Sequence, residues 1–277
     1  MLKNNYHTHM QYCNHAKGMV IDYIQMANDL GMSEIGMTDH APIPATFLTE
    51  TEYDKNYGSD NMDLSLVDDY LNQIEECKKK FPNLKIYSGF ESEFLEEREF
   101  FYRDLRKKVD YMNFGVHFFR YKGRVVNTYT DMTPEVLKGY VKNIENGLKS
   151  GIFNTLCHPD LYMFDYKDKN GNRTFDEVCK WAAHTICELA VKYDTYIEVN
   201  CNGFRYVKDY NDKSQWRYPY PDFWEIAKNY PVKIIIGADA HEPEALGNQN
   251  VEAAIRFAKE MNLNISERMV IKNENKN

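Results

Sequence analysis

Apolar residues along this chain alternate between a period of two and a period near 3.6, and the alternation repeats almost to the end. Tyr6, Thr8 and Met10 interleave with His7 and His9, a period-two pattern that predicts a strand with both histidines on one face. Their Cα atoms would then stand two strand rises, about 6.5–7 Å, apart. Residues 20–30 have helical spacing and end at Gly31, a residue suited to a C-terminal cap. Residues 34–40 predict a short strand ending in Asp39 and His40, and residues 41–63 a long polar loop. A helix over 64–81 is stopped by Pro82, a strand over 84–94 runs into Glu91 and Glu93, and a charged helix follows over 96–108. The pattern then predicts a strand over 110–119 ending near His117, a helix over 133–149, and a strand over 153–161 delivering His158 and Asp160. A helix over 174–193, a strand over 196–205 and a helix over 221–229 come next. A strand over 232–243 reaches Asp239 and His241, and a last helix (244–262) and a short MVIKN segment follow.

At least seven strand–helix units in succession imply an α/β chain with a parallel sheet or barrel. No linker, low-complexity tract or repeat divides residues 1–277, so a single domain is expected. Aromatic residues make up 14% of the chain, which excludes compositional disorder. The formal charge of −8 argues against a general nucleic-acid binder but leaves phosphorylated substrates open, because bound cations reverse the local sign of a site. Six cysteines include no C-x-x-C pair, the first residues have no apolar leader segment, and no stretch approaches a membrane span. A cytoplasmic protein without membrane or nucleic-acid partners is the expectation.

The candidate chemistry lies at the strand ends. Of eight histidines, His7, His9, His15, His40, His117, His158 and His241 fall there or in the following loops, and His184 lies inside a helix. With Glu91 and Asp239 they make nine groups converging on the rim where α/β barrels hold their active sites. Any one of these histidines alone reads as a packed or solvent-facing side chain. Together, so many buried polar groups would lack partners without cations. Mixed imidazole and carboxylate ligation suits zinc, iron or manganese. Cys157 and Cys201 read as small apolar fillers, and the aromatic run at 216–224 as packing against the barrel.

HTH near the start, TDH, a GFE-type glutamate, GVHF, CHPD and GADAH occur here in the order found in the PHP (polymerase and histidinol phosphatase) superfamily. The resemblance covers residues 5 to about 247, and SGFESEF, GVHFF and the EVNCNGFR…YPYP stretch look most like its histidinol-phosphate phosphatase branch. It implies a distorted TIM-like (β/α)7 barrel. It also implies hydrolysis of L-histidinol phosphate to L-histidinol and phosphate, by a hydroxide held at a trinuclear site of divalent zinc, manganese or iron. Carried over by motif, His7, His9, Glu91 and Asp239 would hold one metal. Glu91 would bridge to a second, shared with His117 and His158, and His15, His40 and His241 would hold the third. Asp39 is expected to orient a ligand histidine rather than to coordinate. Arg205 occupies the family's Asn-x-x-Gly-x-Arg position and is expected on the phosphate; its plainer reading is a solvated loop arginine. Asp160 is a candidate proton donor to the leaving alkoxide, or else a loop or cap acid. Asn200 and Asn202 are candidates to bond the substrate or to end a strand, and Glu93 to receive its amine or to pack in the barrel.

Three rival readings remain at this level. One is a PHP phosphoesterase acting on nucleotides or nucleic-acid ends. Another is a non-catalytic metal-binding barrel. The third is an amidohydrolase-type metal barrel, since fold and metals alone do not fix a reaction.

Overall fold

The computed structural model describes residues 1–49, 60–209, 212 and 215–271. Seven strands form one parallel sheet in chain order. They are β1 (Asn4–Asn5), β2 (Glu34–Met37), β3 (Lys85–Ser92), β4 (Tyr111–Phe114), β7 (Thr155–Leu156), β8 (Tyr196–Asn200) and β9 (Lys233–Gly237). The two ends of the sheet meet. Thr8 bridges Ala240 in parallel, the His9 N–H donates to the Ala240 carbonyl at 2.8 Å, and the Ala238 N–H donates to Asn5 Oδ1 at 2.8 Å. The result is a distorted, nearly closed (β/α)7 barrel whose strands are buried on both faces, which is why they read as near-continuous apolar runs.

Helices α1 (Val20–Asp29), α2 (Val67–Lys80), α3 (Glu99–Lys108), α4 (Pro134–Lys149), α5 (Glu177–Lys192), α6 (Pro221–Ala227) and α7 (Gln249–Glu260) surround it. Local chemistry sets several starts. Thr133 caps α4 with Pro134 behind it, Asp176 caps α5, and Asn248 caps α7, each contributing about 1 kcal/mol. The Asn248 cap also splits the helix expected over 244–262: a 3-10 turn, Pro243–Gly247, precedes α7. Similar turns at Leu64–Leu66 and Glu96–Arg98 precede α2 and α3.

Two further expectations change. The strand expected over residues 6–10 is regular only at Asn4–Asn5. Beyond it two of the backbone N–H groups turn to side chains, Thr8 N to Thr38 Oγ1 at 3.0 Å and Met10 N to Asp39 Oδ2 at 3.1 Å. The strand expected over 110–119 ends at Phe114. Phe118–Tyr121 (β5) instead pairs antiparallel with Arg124–Asn127 (β6), turning through Lys122 and Gly123, both at positive φ as a two-residue hairpin turn requires. Part of the loop expected over 41–63, residues 50–59, and the end of the MVIKN segment lie outside the described residues.

One large apolar core fills the space between sheet and helices. A second cluster, Tyr6, Tyr111, Tyr196, Ile235 and Met269, occupies the end of the barrel where the strands begin, since Tyr111 and Tyr196 are the first residues of β4 and β8. The barrel is therefore plugged at that end, leaving the opposite mouth for chemistry.

Candidate metal centre

Every strand of the barrel leads a polar side chain to the mouth, and nine of these converge. His7 Nε2 and His9 Nε2 stand 3.0 Å apart. Each is 3.2 Å from Glu91 Oε2, and His9 Nε2 is 3.1 Å from Asp239 Oδ1. The other oxygen of the same carboxylate, Glu91 Oε1, lies 3.0 Å from His158 Nε2 and 3.5 Å from His117 Nε2, and those two nitrogens are 3.2 Å apart. A third group pairs His15 Nε2 with His241 Nε2 at 3.0 Å. His40 stands between this group and Glu91: its Nδ1 is 3.6 Å from Glu91 Oε2, and it converges with His9 and His241. Glu91 thus lies at the centre, with Gly115 beside it because any Cβ there would overlap its Oε1.

The protonation pattern shows what the cluster is built for. His7 Nδ1 donates to Glu198 Oε1 at 2.8 Å and His117 Nδ1 to Glu93 Oε1 at 2.8 Å. His15 Nδ1 donates to the Cys13 carbonyl at 3.0 Å and His241 Nδ1 to the Asp239 carbonyl at 3.1 Å. With the proton of Nδ1 fixed in this way, Nε2 is the atom each ring offers inward, to a second proton or to a metal ion. The facing Nε2 atoms of His15 and His241 lie 3.0 Å apart, a spacing that a shared proton or a metal ion between them satisfies. Nitrogens about 2.1 Å from a common tetrahedral ion lie about 3.4 Å apart, so the observed spacings are close to edges of a coordination polyhedron. The donor set fits divalent metal ions.

Electrostatics agree. Burial alone would push the Glu91 and Asp239 carboxyls up, but the surrounding histidines hold both well below the usual carboxylate range. Burial, reinforced by the charge of His9, lowers His40 well below its ordinary value and His241 to about 3, leaving both rings neutral. Burial also opposes charge on His7 and His9, yet the anionic groups around them raise both well above the ordinary range. The pocket therefore draws positive charge to its centre, and protons and metal ions compete for the same place. Two of the nine converging residues, His158 and Asp239, sit at positive φ (31° and 47°), where a side chain is strained and must be held by its surroundings.

Other expected site residues take different places. Asp39 accepts from the N–H groups of Met10 and His40 and faces His9 Nδ1 at 3.8 Å, so it shapes the backbone of two histidine segments. Glu93, a candidate for the substrate amine, is buried and engaged by His117. Asn200 and Asn202, candidates for substrate contact, both donate to Asp239 Oδ2, at 3.0 and 3.3 Å, and so hold that carboxylate in place. Asp160, the candidate proton donor, is buried away from the mouth, where it accepts from the Tyr220 N–H and from Trp224 Nε1, 3.1 Å away. Burial pushes its carboxyl up to about 7. Arg205 does reach the mouth. It lines two adjoining cavities of about 290 and 350 Å³ together with His15, Asn202, Asp239 and His241. His184 bonds the Tyr230 hydroxyl on the exterior, and the six cysteines are buried free thiols.

Glu198 was missed. Besides His7 it accepts from the His158 N–H at 3.2 Å and from Asn200 Nδ2 at 3.0 Å. Its signal was a lone acid in the apolar strand YIEVN, two residues before Asn200 and therefore on the same face.

A parallel barrel with imidazoles and carboxylates gathered at its C-terminal mouth belongs to the metal-dependent α/β-barrel enzymes. Within that class the chain belongs to the PHP domain family, which matches residues 5–202. A relative from Deinococcus radiodurans, described as "Probable histidinol-phosphatase", is 27% identical over 89% of each chain. The "Histidinol-phosphatase" of Bacillus subtilis is 22% identical over 89% of this chain and 96% of its own. Among solved structures, the histidinol phosphate phosphatase of Lactococcus lactis, in complex with zinc, L-histidinol and phosphate, superposes with a TM-score of 0.70. It has 16% identity and covers 96% of both chains, a likeness of fold. Among the described residues no helix is long and apolar enough to cross a membrane.

Proposed function

We propose that this protein is a phosphomonoesterase that converts L-histidinol phosphate and water to L-histidinol and inorganic phosphate in the cytoplasm, as a step of histidine biosynthesis. The observation that carries the reading is the set of inward-facing Nε2 atoms around Glu91, a centre suited to divalent cations. The curated relatives, both described as histidinol-phosphatases, support the substrate.

In this reading three divalent ions, zinc, manganese or iron, are held by nine residues. His7, His9, Glu91 and Asp239 form the first set; Glu91, His117 and His158 the second; His15, His40 and His241 the third. When bound, such ions polarise phosphoryl oxygens and acidify water. The chain's own residues do the rest. Glu198 and Glu93 keep the Nδ1 protons of His7 and His117 in place, so that Nε2 stays available. Asn200 and Asn202 orient Asp239. Arg205, at the mouth, pairs its guanidinium with the phosphate dianion and holds it for in-line attack.

Phosphate release from L-histidinol phosphate, measured on a sample whose metal content is determined by elemental analysis, tests this directly. Rapid release with about three metals per chain is the expected result. Metal-loaded protein that leaves L-histidinol phosphate intact but cleaves a nucleotide monoester would overturn the substrate and favour the nucleotide reading.

A further inference from the structure

With Glu93 committed to His117, the group that reads the substrate's amine is missing, and the cavity over the metal ligands offers one. Its lining contains three carboxylates: Glu91, Asp239 and Asp60. The first two face the histidines. Asp60 belongs to none of the groups of converging donors among the described residues. It is nonetheless held at the rim by its neighbours. Asn14 Nδ2 donates to the Asn61 carbonyl at 3.2 Å, and the Met62 N–H donates to the carbonyl of His40 at 3.4 Å. Asn61 and Met62 are both buried, so the backbone that presents Asp60 is tied to the segments bearing His15 and His40.

The same cavity has an aromatic wall. Tyr129 and Tyr218 line it, and the Tyr129 ring lies parallel to that of His117 (3° between planes, centroids 6.1 Å apart). A cavity of about 290 Å³ that joins phosphate-binding groups, a flat aromatic wall and a separate carboxylate matches a small phosphate ester carrying both a ring and a cation. We propose that Asp60 receives the protonated amine of L-histidinol phosphate while Tyr129 and Tyr218 flank its imidazole, which makes Asp60 the residue that selects amino-alcohol phosphates. The assignment rests on the histidinol-phosphate reading given above.

The test compares wild-type protein with Asp60→Asn and Asp60→Glu. The substrates are L-histidinol phosphate and 3-(imidazol-4-yl)propyl phosphate, which lacks only the amine. Wild-type protein should prefer the amine-bearing ester in kcat/KM by about 10- to 150-fold, the value of one hydrogen bond between charged groups. Asp60→Asn should erase that preference by lowering kcat/KM for L-histidinol phosphate alone, with metal content unchanged, and Asp60→Glu should restore part of it. A preference that survives in Asp60→Asn overturns the assignment, as does an equal fall for both esters or a loss of metal. Hydrolysis of L-histidinol phosphate without any amine preference in the wild type removes Asp60 but keeps the proposed reaction. Hydrolysis of neither ester, by metal-loaded protein, removes the reaction itself.

Discussion

Replacing Glu198 by Gln changes one atom of the carboxylate and leaves its shape, yet the surroundings allow no satisfactory fit. Three donors converge on its two oxygens: His7 Nδ1 on Oε1, the His158 N–H and Asn200 Nδ2 on Oε2. If the new amide directs its oxygen to His7, its NH2 meets two further donors. If it flips, the NH2 meets His7 Nδ1–H, and the ring must move its proton to Nε2, the atom turned toward Glu91 and Asp239. The first arrangement strands a buried donor, at about 1–3 kcal/mol, and the second takes from Nε2 the lone pair a cation needs. Since about 1.4 kcal/mol is tenfold, metal affinity should fall roughly 5- to 150-fold, in line with losses of about 10–100-fold for other groups that orient metal-bound histidines. Competition with a chromophoric chelator gives the affinity, and activity at saturating metal should recover most of the lost rate. Gly237→Ala provides an independent route to the same defect, because its Cβ would overlap Glu198 Oε1. An unchanged metal affinity in folded Glu198→Gln would refute the orienting role.

Glu91→Ala should strip metal and turnover together, because five imidazoles share its two oxygens. Near-normal rates with full metal occupancy would exclude a bridging carboxylate. Arg205→Ala should lower kcat/KM by about 10- to 150-fold, the range for a charged hydrogen bond, while elemental analysis finds the metals retained. An unchanged kcat/KM removes Arg205 from the phosphate. His7 and His9 have pKa values well above the ordinary one, so their protons must leave before metal can bind. Metal affinity should therefore rise with pH, and a chelator should extract metal faster on the acid side of neutrality. Extraction independent of pH would show that these two rings are not ligands.

The barrel was legible because its strands are buried on both faces and its helices on one. EIGM, KIYSGFES and KIIIG read as runs, and the segments between them as 3.6-period stripes. The hairpin was not. Its leading strand continues the apolar character of β4 across Gly115, and only the Lys122–Gly123 turn betrays the reversal. The histidines and acids of the centre stood out because each ends a strand. Which acid faces the cavity and which supports a histidine did not stand out. Glu91 lies near the end of β3 and Glu93 just past it, and only the three-dimensional neighbours separate the carboxylate among five imidazoles from the one behind His117. Asn200 and Asn202 were read toward substrate for a similar reason: position at a strand end does not tell whether an amide bonds a ligand or a neighbouring carboxylate.

The Thr8–Ala240 bridge has a consequence for the order in which this molecule can be made. His7 and His9 leave the ribosome long before Asp239 and His241. Until β9 docks against β1, the leading histidines have neither Asp239 nor the pairing that fixes their backbone. If Asp239 is a ligand as proposed, capture of its ion waits for β9, and the ion then fastens the segment after β1 to the segment after β9. On that assignment a chain halted before residue 239 should lose added metal on dialysis and the full barrel should retain it; equal retention by both would refute the assignment of Asp239.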